Sequence, residues 1–474
     1  MMGWNNSVAT RMKQKFPGII ILKCICHSIH LCAVAASKCL PKEIAKFIQQ
    51  VYDHFENSAK RIVQFQEFQE FCNLPTHKIL RACLTRWLSH CAAVLRLIEQ
   101  WPALILYFTK KANEEKDNES LQFILRMLAD PITKMYILFL GYVLPKVSGL
   151  NEYFQRTAVV MTSLHSKMTS SDKEFLGMFM NQMYIAQTDL NLIDPANESK
   201  HLLNAQMYVG ADVATEIRGI RNKQLYQDRL NMFYENVRCY LVTLCKTIKI
   251  KYDFGDKKLS LLHLLEPRYA LSLDVRTNTP SLMPLVDEFP RVVAKRDSKR
   301  RQDIDDGWRQ LPHVDLPSDI KDEKEVDVFW FKLLNLKDIA GDPVLPALPR
   351  FALEVLSLSL PHSNADCERV FSKVNNLKTR NRNKMKTKTV NGCLLSSQLV
   401  KCSGCCFKFA PNETMRSLMN TENLFPPKAK TKNNVSLDGR SDDIQTLESD
   451  DIQTLEWSDE DEDEFSPFSY DELS

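Results

Sequence analysis

The feature that most narrows the fold is a set of apolar residues at helical spacing that returns along the chain. Ile44, Phe47, Ile48, Val51, Tyr52 and Phe55 follow the i, i+3, i+4 rule behind Pro41, a residue suited to a first helical turn. The spacing recurs at Leu121, Ile124, Leu125 and Leu128, and again at Leu230, Phe233, Tyr234, Val237, Leu241 and Leu244. Such a period seats each set on one face of a helix, so the chain is predicted to be mostly α with these stripes as core. One segment departs from it. Ile19-Ile20-Ile21-Leu22 is a β-branched run after the turn signal Pro17-Gly18, which predicts a single buried strand. A lone strand needs partners or a covering helix, so the first ~40 residues are expected to be loosely ordered or to associate with another protein through that edge.

With 44% hydrophobic and 26% charged residues in a length of 474, the chain has the composition of a globular protein with room for two or three packed units. Its formal charge of +3 is unevenly placed. Residues 438–474 hold 15 acidic side chains against the single cation Arg440, a local net of −14, which leaves +17 on residues 1–437. A basic body suggests a polyanionic partner such as DNA. The N-terminus Met1-Met2-Gly3-Trp4-Asn5 has no apolar core behind a charged region, so no secretory signal is expected. The most apolar run, Met135 to Leu144, is too short for a bilayer, which needs about 20 residues. We therefore expect no membrane partner. A nuclear location is expected, with the cytoplasm as the alternative, and in either place the 14 cysteines stay mostly reduced.

Several clusters invite a chemical reading. Cys24, Cys26, His27, His30 and Cys32 crowd into nine residues after the strand, but no second ligand pair follows at zinc spacing, so packing is preferred over a metal site. Cys393, Cys402, Cys405 and Cys406 form a second cluster whose unequal spacing argues against a four-thiolate site, and no metal is assigned to either. Lys378, Arg380, Arg382, Lys384, Lys386 and Lys388 place a cation on every second residue. Extended, they would point one way at a repeat of about 6.6 Å, able to track phosphates; a solvated loop is the alternative. Lys295-Arg296-Asp297-Ser298-Lys299-Arg300-Arg301 lies in a polar stretch from Pro290 to Asp322, read as a solvated loop or as a nuclear-import signal. No Gly-rich phosphate loop, nucleophile elbow or zincin helix occurs. The tail repeats Ser441 to Glu448 letter for letter at Ser449 to Glu456 and then turns acidic, a composition expected to stay disordered.

Three motifs, in order, resemble those of the hAT-superfamily transposases. Cys24-Ile25-Cys26-His27 after the strand is similar to that family's Cys-x-x-His element, and Thr85-Arg86-Trp87 to its Arg-Trp motif. Leu360 to Ser372, reading Leu-Pro-His-Ser-Asn-Ala-Asp-Cys-Glu-Arg-Val-Phe-Ser, resembles the C-terminal Ser-Glu-Arg-x-Phe-Ser block of its dimerisation region, with Cys367 in place of the usual serine. An upstream Val328-Phe329-Trp330-Phe331 and the Pro346 to Leu348 segment fit the same block.

The resemblance implies an RNase H-like sheet whose three carboxylates hold two divalent metals, with a large helical insertion before the helix that bears the third carboxylate. Glu368 matches that third position and Arg369 follows it, while the first two carboxylates belong to strands ahead of the Cys-x-x-His element. No Asp or Glu occurs before Glu43. The expected architecture is thus mostly α: a truncated RNase H-like (α/β) remnant over 1–100, an all-helical insertion over 101–325, a helical dimerisation region over 326–400, and a disordered tail over 401–474, acidic from 438. The expected protein is catalytically inactive, needs no cofactor, and acts through dimerisation by Phe329, Trp330, Val370 and Phe371. DNA contact by the six cations and protein contact by the acidic tail are further expectations. The alternative is a fragment of an active transposase whose N-terminal strands lie upstream, with Glu368 as a Mg²⁺ ligand.

Overall fold

The three periodic stripes become helices. The protein is described here by a computed structural model covering residues 7–16, 24–82, 87–156, 159–358, 365–379 and 382–420. In chain order come α1 (Val8–Lys15), α2 (Ile25–Ser37), α3 (Lys42–Glu56), α4 (Ala59–Phe71), α5 (Trp87–Glu114), α6 (Glu119–Ala129), α7 (Pro131–Phe154) and α8 (Met161–Leu176). A short α9 (Gln182–Gln187) precedes α10 (Ala211–Ile220) and α11 (Gln227–Lys251). Four short helices follow, α12 (Lys257–Leu261), α13 (Pro267–Ala270), α14 (Leu273–Asn278) and α15 (Met283–Asp287). Beyond them lie α16 (Ser298–Gln310), α17 (Ser318–Lys321), α18 (Val326–Leu334), α19 (Leu348–Leu358) and α20 (Ala365–Leu377). All of these belong to one compact unit, Met1–Lys386; α21 (Thr387–Cys402) and α22 (Glu413–Leu418) belong to a second, Thr387–Ser474. Among the described residues there is no strand, which agrees with the mostly α expectation. The run Ile19 to Leu22, expected as a strand, lies outside the described residues.

Helix α7 is the centre of the first unit because its apolar residues are not confined to one stripe. Met135, Ile137, Phe139, Val143, Leu144 and Phe154 are all buried, and α5, α6, α2 and α10 pack around them. The start of α7 is fixed by chemistry that the sequence spells out: Asp130 accepts from the Thr133 amide at 3.1 Å, and Pro131 occupies the first turn. Arg229 of α11 donates to both oxygens of Asp130 at 2.9 and 2.7 Å. Burial alone would raise the Asp130 pKa, but the hydrogen bonds from Arg229 and Thr133 outweigh it and hold the carboxyl below its usual range. Where α7 crosses α5 the backbone comes close, and a Cβ at Gly141 would lie 2.3 Å from Ile98 Cδ1.

The 25-residue stretch His90–Glu114 of α5 is long and apolar enough to cross a membrane by length and composition. Its Val94, Leu97, Trp101, Leu104, Tyr107 and Phe108 are buried against the chain itself, as in the core helix of a globular fold. Gln100, fully buried, accepts from Gln69 Nε2 at 2.9 Å and donates to the Pro75 carbonyl at 3.1 Å, which ties α5 to the end of α4.

The polar stretch from Pro290 to Asp322 is not a solvated loop: α16 runs through it, capped by Asp297, whose side chain accepts from the Arg300 amide at 3.2 Å. Ile304, Gly307 and Trp308 form its buried face, and α16 packs against α15 and α19. Two apolar anchors, Ile304 and Trp308, are enough in a charged sequence here because Trp308 is large, and its indole donates to the Thr279 carbonyl at 3.0 Å.

Candidate functional site

Helix α18 carries three consecutive aromatic side chains, Phe329, Trp330 and Phe331, and a helix cannot turn all of them to one side. Phe329 and Trp330 face inward with no exposed surface, their ring centroids 5.0 Å apart, and the Trp330 indole donates to the Leu265 carbonyl at 2.8 Å. Both were expected at a dimerisation surface; the structure places them in the chain's own core, packed with Leu333 and the Leu348, Phe351 and Val355 face of α19. Phe331 is left 61% exposed and Val328 37%.

Helix α20 is different. Its apolar residues Val370, Phe371, Val374 and Leu377 recur at helical spacing, yet Val370 is 47% and Phe371 67% exposed, with Val374 and Leu377 half-buried. Thirteen residues long, α20 therefore turns an apolar stripe to solvent. At roughly 25 cal/mol per Å² of apolar area, covering such a stripe is a favourable step open to a second molecule. The backbone of Glu368 and Arg369 lies on the same helix, while their side chains lie outside what the structure describes.

Residues 319–399, from α17 into α21, match the hAT family C-terminal dimerisation region. That match covers 81 of the 474 residues and supports a hAT-transposase-derived origin. A match to a dimerisation region supports self-association. No curated protein matches the chain.

Helix α2, which carries most of the first hAT-like motif, touches α5, which opens at Trp87. Cys24 immediately precedes α2, His27 is exposed, and His30 is half-buried one turn on, the two imidazoles stacked with centroids 6.4 Å apart. Helix α2 packs on α7 and on α5, and the Cys26 thiol donates to the Asn151 carbonyl at 3.7 Å. Burial lowers the pKa of His30, with His27 adding to the effect; burial likewise lowers that of buried His90 near the start of α5, with His30 adding. The Cys-x-x-His helix and the helix opening at Trp87 are thus electrostatic neighbours. Arg86 lies outside the described residues, as does the side chain of Trp87; Cys91 one turn later is buried, whereas Leu95 is exposed. Among the described residues no three His, Cys, Asp or Glu side chains gather as metal ligands.

The basic segment after α20 does not run extended. The Arg382 amide bonds to the Thr379 carbonyl at 2.8 Å and the Met385 amide to the Arg382 carbonyl at 3.3 Å, so the chain turns and the one-sided ladder of cations is not formed. Lys378, Arg382, Lys384, Lys386 and Lys388 are exposed; Arg380 lies outside the described residues. In the other basic cluster Arg300 is held by Glu354 at 2.5 Å and Arg301 by Asp287 at 2.8 Å, which leaves Lys295, Arg296 and Lys299 to solvent. In the second unit Cys402 and Cys406 are exposed thiols and Cys393 and Cys405 half-buried ones. Residues 413–418, inside the segment expected to be disordered, form the short α22, and the acidic stretch from 438 lies outside the described residues.

Sequence reading passed over one buried charge. Asp172 of α8 has no exposed surface, with Lys249 Nζ of α11 4.0 Å away and the buried Cys245 beside it. Burial pushes this carboxyl up to about 7 against a weaker opposing pull from Lys249. The partners lie 77 positions apart and meet only because α8 packs on α11, which no local pattern reveals.

Proposed function

We propose that this protein acts as a self-associating, non-catalytic descendant of a hAT transposase, with the exposed stripe of α20 as the centre of its interface. The observation that carries the reading is the coincidence of the matched dimerisation region with a helix that exposes Val370 and Phe371. Phe329 and Trp330, fully buried against α19, are left out of the proposed interface. Two differently tagged full-length copies should co-purify, and Phe371→Asp in both should abolish the pairing.

DNA is the second partner proposed, on the strength of the exposed Lys378, Arg382, Lys384 and Lys386 that follow α20 in the chain and the +17 carried outside the acidic tail. Self-association would present this set of cations twice and raise affinity by avidity. The acidic tail, with Trp457, Phe465, Phe468 and Tyr470 among its carboxylates, is proposed to engage other proteins, and the nucleus is the proposed site of action. Glu368 is the one carboxylate of this sequence that the hAT motif matches, and one carboxylate does not hold two divalent ions. Glu368→Gln should therefore leave pairing and DNA binding unaltered, and Mg²⁺ should elicit no strand cleavage by this chain.

A further inference from the structure

Two cysteines 200 positions apart meet on the surface of the first unit. Cys39 lies in the turn between α2 and α3, Cys239 lies on α11, and their Sγ atoms are 2.6 Å apart. The backbones are already placed for this contact, because α2 packs along α11 through buried residues of both helices. The Cys39 thiol also meets the Thr243 hydroxyl at 3.3 Å, one turn along α11 from Cys239. Cys239 is exposed and Cys39 half-buried, so a small oxidant reaches the first sulfur while the second stands ready beneath it. Cys32, Cys91 and Cys245 are buried and have no such access.

We propose that Cys39 and Cys239 form a reversible, oxidant-dependent disulfide that ties the end of α2 to α11, the oxidant being a peroxide. The Cys239 sulfur, as thiolate, attacks one peroxide oxygen; the O–O bond breaks, one water leaves, and a sulfenic acid remains. The Cys39 sulfur then displaces that hydroxyl as a second water while the S–S bond forms. Two thiols lose two electrons and two protons in total, and the peroxide is reduced to two waters. Burial pushes the Cys39 thiol up to about 11, with the hydrogen bond from Cys239 adding to the effect, so the exposed Cys239 is the sulfur that meets the peroxide first. In a reducing compartment such a bridge forms under oxidative load and is otherwise open. The pairing is independent of the dimerisation reading, since neither cysteine lies within residues 319–399.

The test uses the full chain, exposed briefly to hydrogen peroxide, blocked with N-ethylmaleimide, then denatured, digested without reduction and analysed by mass spectrometry. The expected product is a single linked species joining the Cys39 and Cys239 peptides, lighter by two hydrogens than their sum and split by dithiothreitol. The thermal midpoint of wild type should rise on oxidation, and that rise should vanish in Cys239→Ser, an exposed substitution whose unoxidised midpoint stays at the wild-type value. Recovery of Cys239 as a sulfinic acid, or in a disulfide between chains, with Cys39 still a free thiol would overturn the proposal. So would an equal oxidative rise in Cys239→Ser.

Discussion

The Arg276 guanidinium lies over the Trp308 ring, its carbon 3.3 Å from the ring centroid, while its Nε donates to the Trp308 carbonyl at 2.7 Å and a terminal nitrogen to the Ala270 carbonyl at 2.5 Å. One side chain thus fastens α14 to α16 and to the end of α13. Burial pulls the Arg276 pKa down to about 10, so the group stays charged at neutral pH. Arg276→Lys keeps the charge but not the planar fork. We predict that it destabilises the fold by about 2–3 kcal/mol, from lost stacking plus carbonyls left short of a donor. Urea denaturation of the two proteins side by side measures this, and an unchanged midpoint would contradict it.

Asp172 should leave a mark on the pH dependence of stability. Its carboxyl is raised from 3.8 in the unfolded chain to about 7 when folded, so the folded state holds the proton more tightly. Stability from this group is fully present below about 4 and is lost as pH rises toward 7 and beyond. Asp172→Asn mimics the protonated carboxyl. It should match wild type near pH 4 and exceed it near pH 8, which thermal melts across that range would show; a variant less stable than wild type at pH 8 would mean that the Lys249 attraction outweighs burial.

The interior and exterior aromatics of the dimerisation region should separate in their effects. Trp330→Ala removes a fully buried indole and its bond to Leu265, a loss of about 3–5 kcal/mol in chemical denaturation. Phe371→Asp changes an exposed side chain and should shift stability by no more than roughly 0.5 kcal/mol. Equal losses for both would place Phe371 in the core as well.

If the exposed cations that follow α20 in the chain meet phosphate, affinity for duplex DNA falls with salt at a slope of about −0.9 per phosphate neutralised. Replacing Lys384 and Lys386 with alanine should lower that slope by roughly 2 without favouring any sequence. Fluorescence anisotropy over a salt series reads this, and an unaltered slope would move the contact elsewhere.

Much of the helical core was legible in the sequence, since Ile44, Phe47, Ile48, Val51 and Phe55 of α3 and Leu230, Phe233, Val237, Leu241 and Leu244 of α11 are buried as their spacing demands. Periodicity carries that information because one buried face is a local property of the chain. Helix α16 escaped notice because only Ile304 and Trp308 anchor it amid charges, and its stability comes from Arg276 and Arg300 reaching partners distant in sequence. The direction of Phe329 and Trp330 escaped for a related reason: an aromatic run announces burial but not whether the cover is the same chain or another. Val370 and Phe371 read alike in sequence, and only the packing around α20 shows them uncovered.

Equilibrium sedimentation of the full chain over a range of concentrations, with Phe371→Asp run alongside, tests the central claim most directly. The account predicts a wild-type mass that rises from that of one chain to at least twice it, and a folded variant that stays at the mass of one chain. A wild type that remains a single chain throughout, or a variant that associates as wild type does, would contradict it.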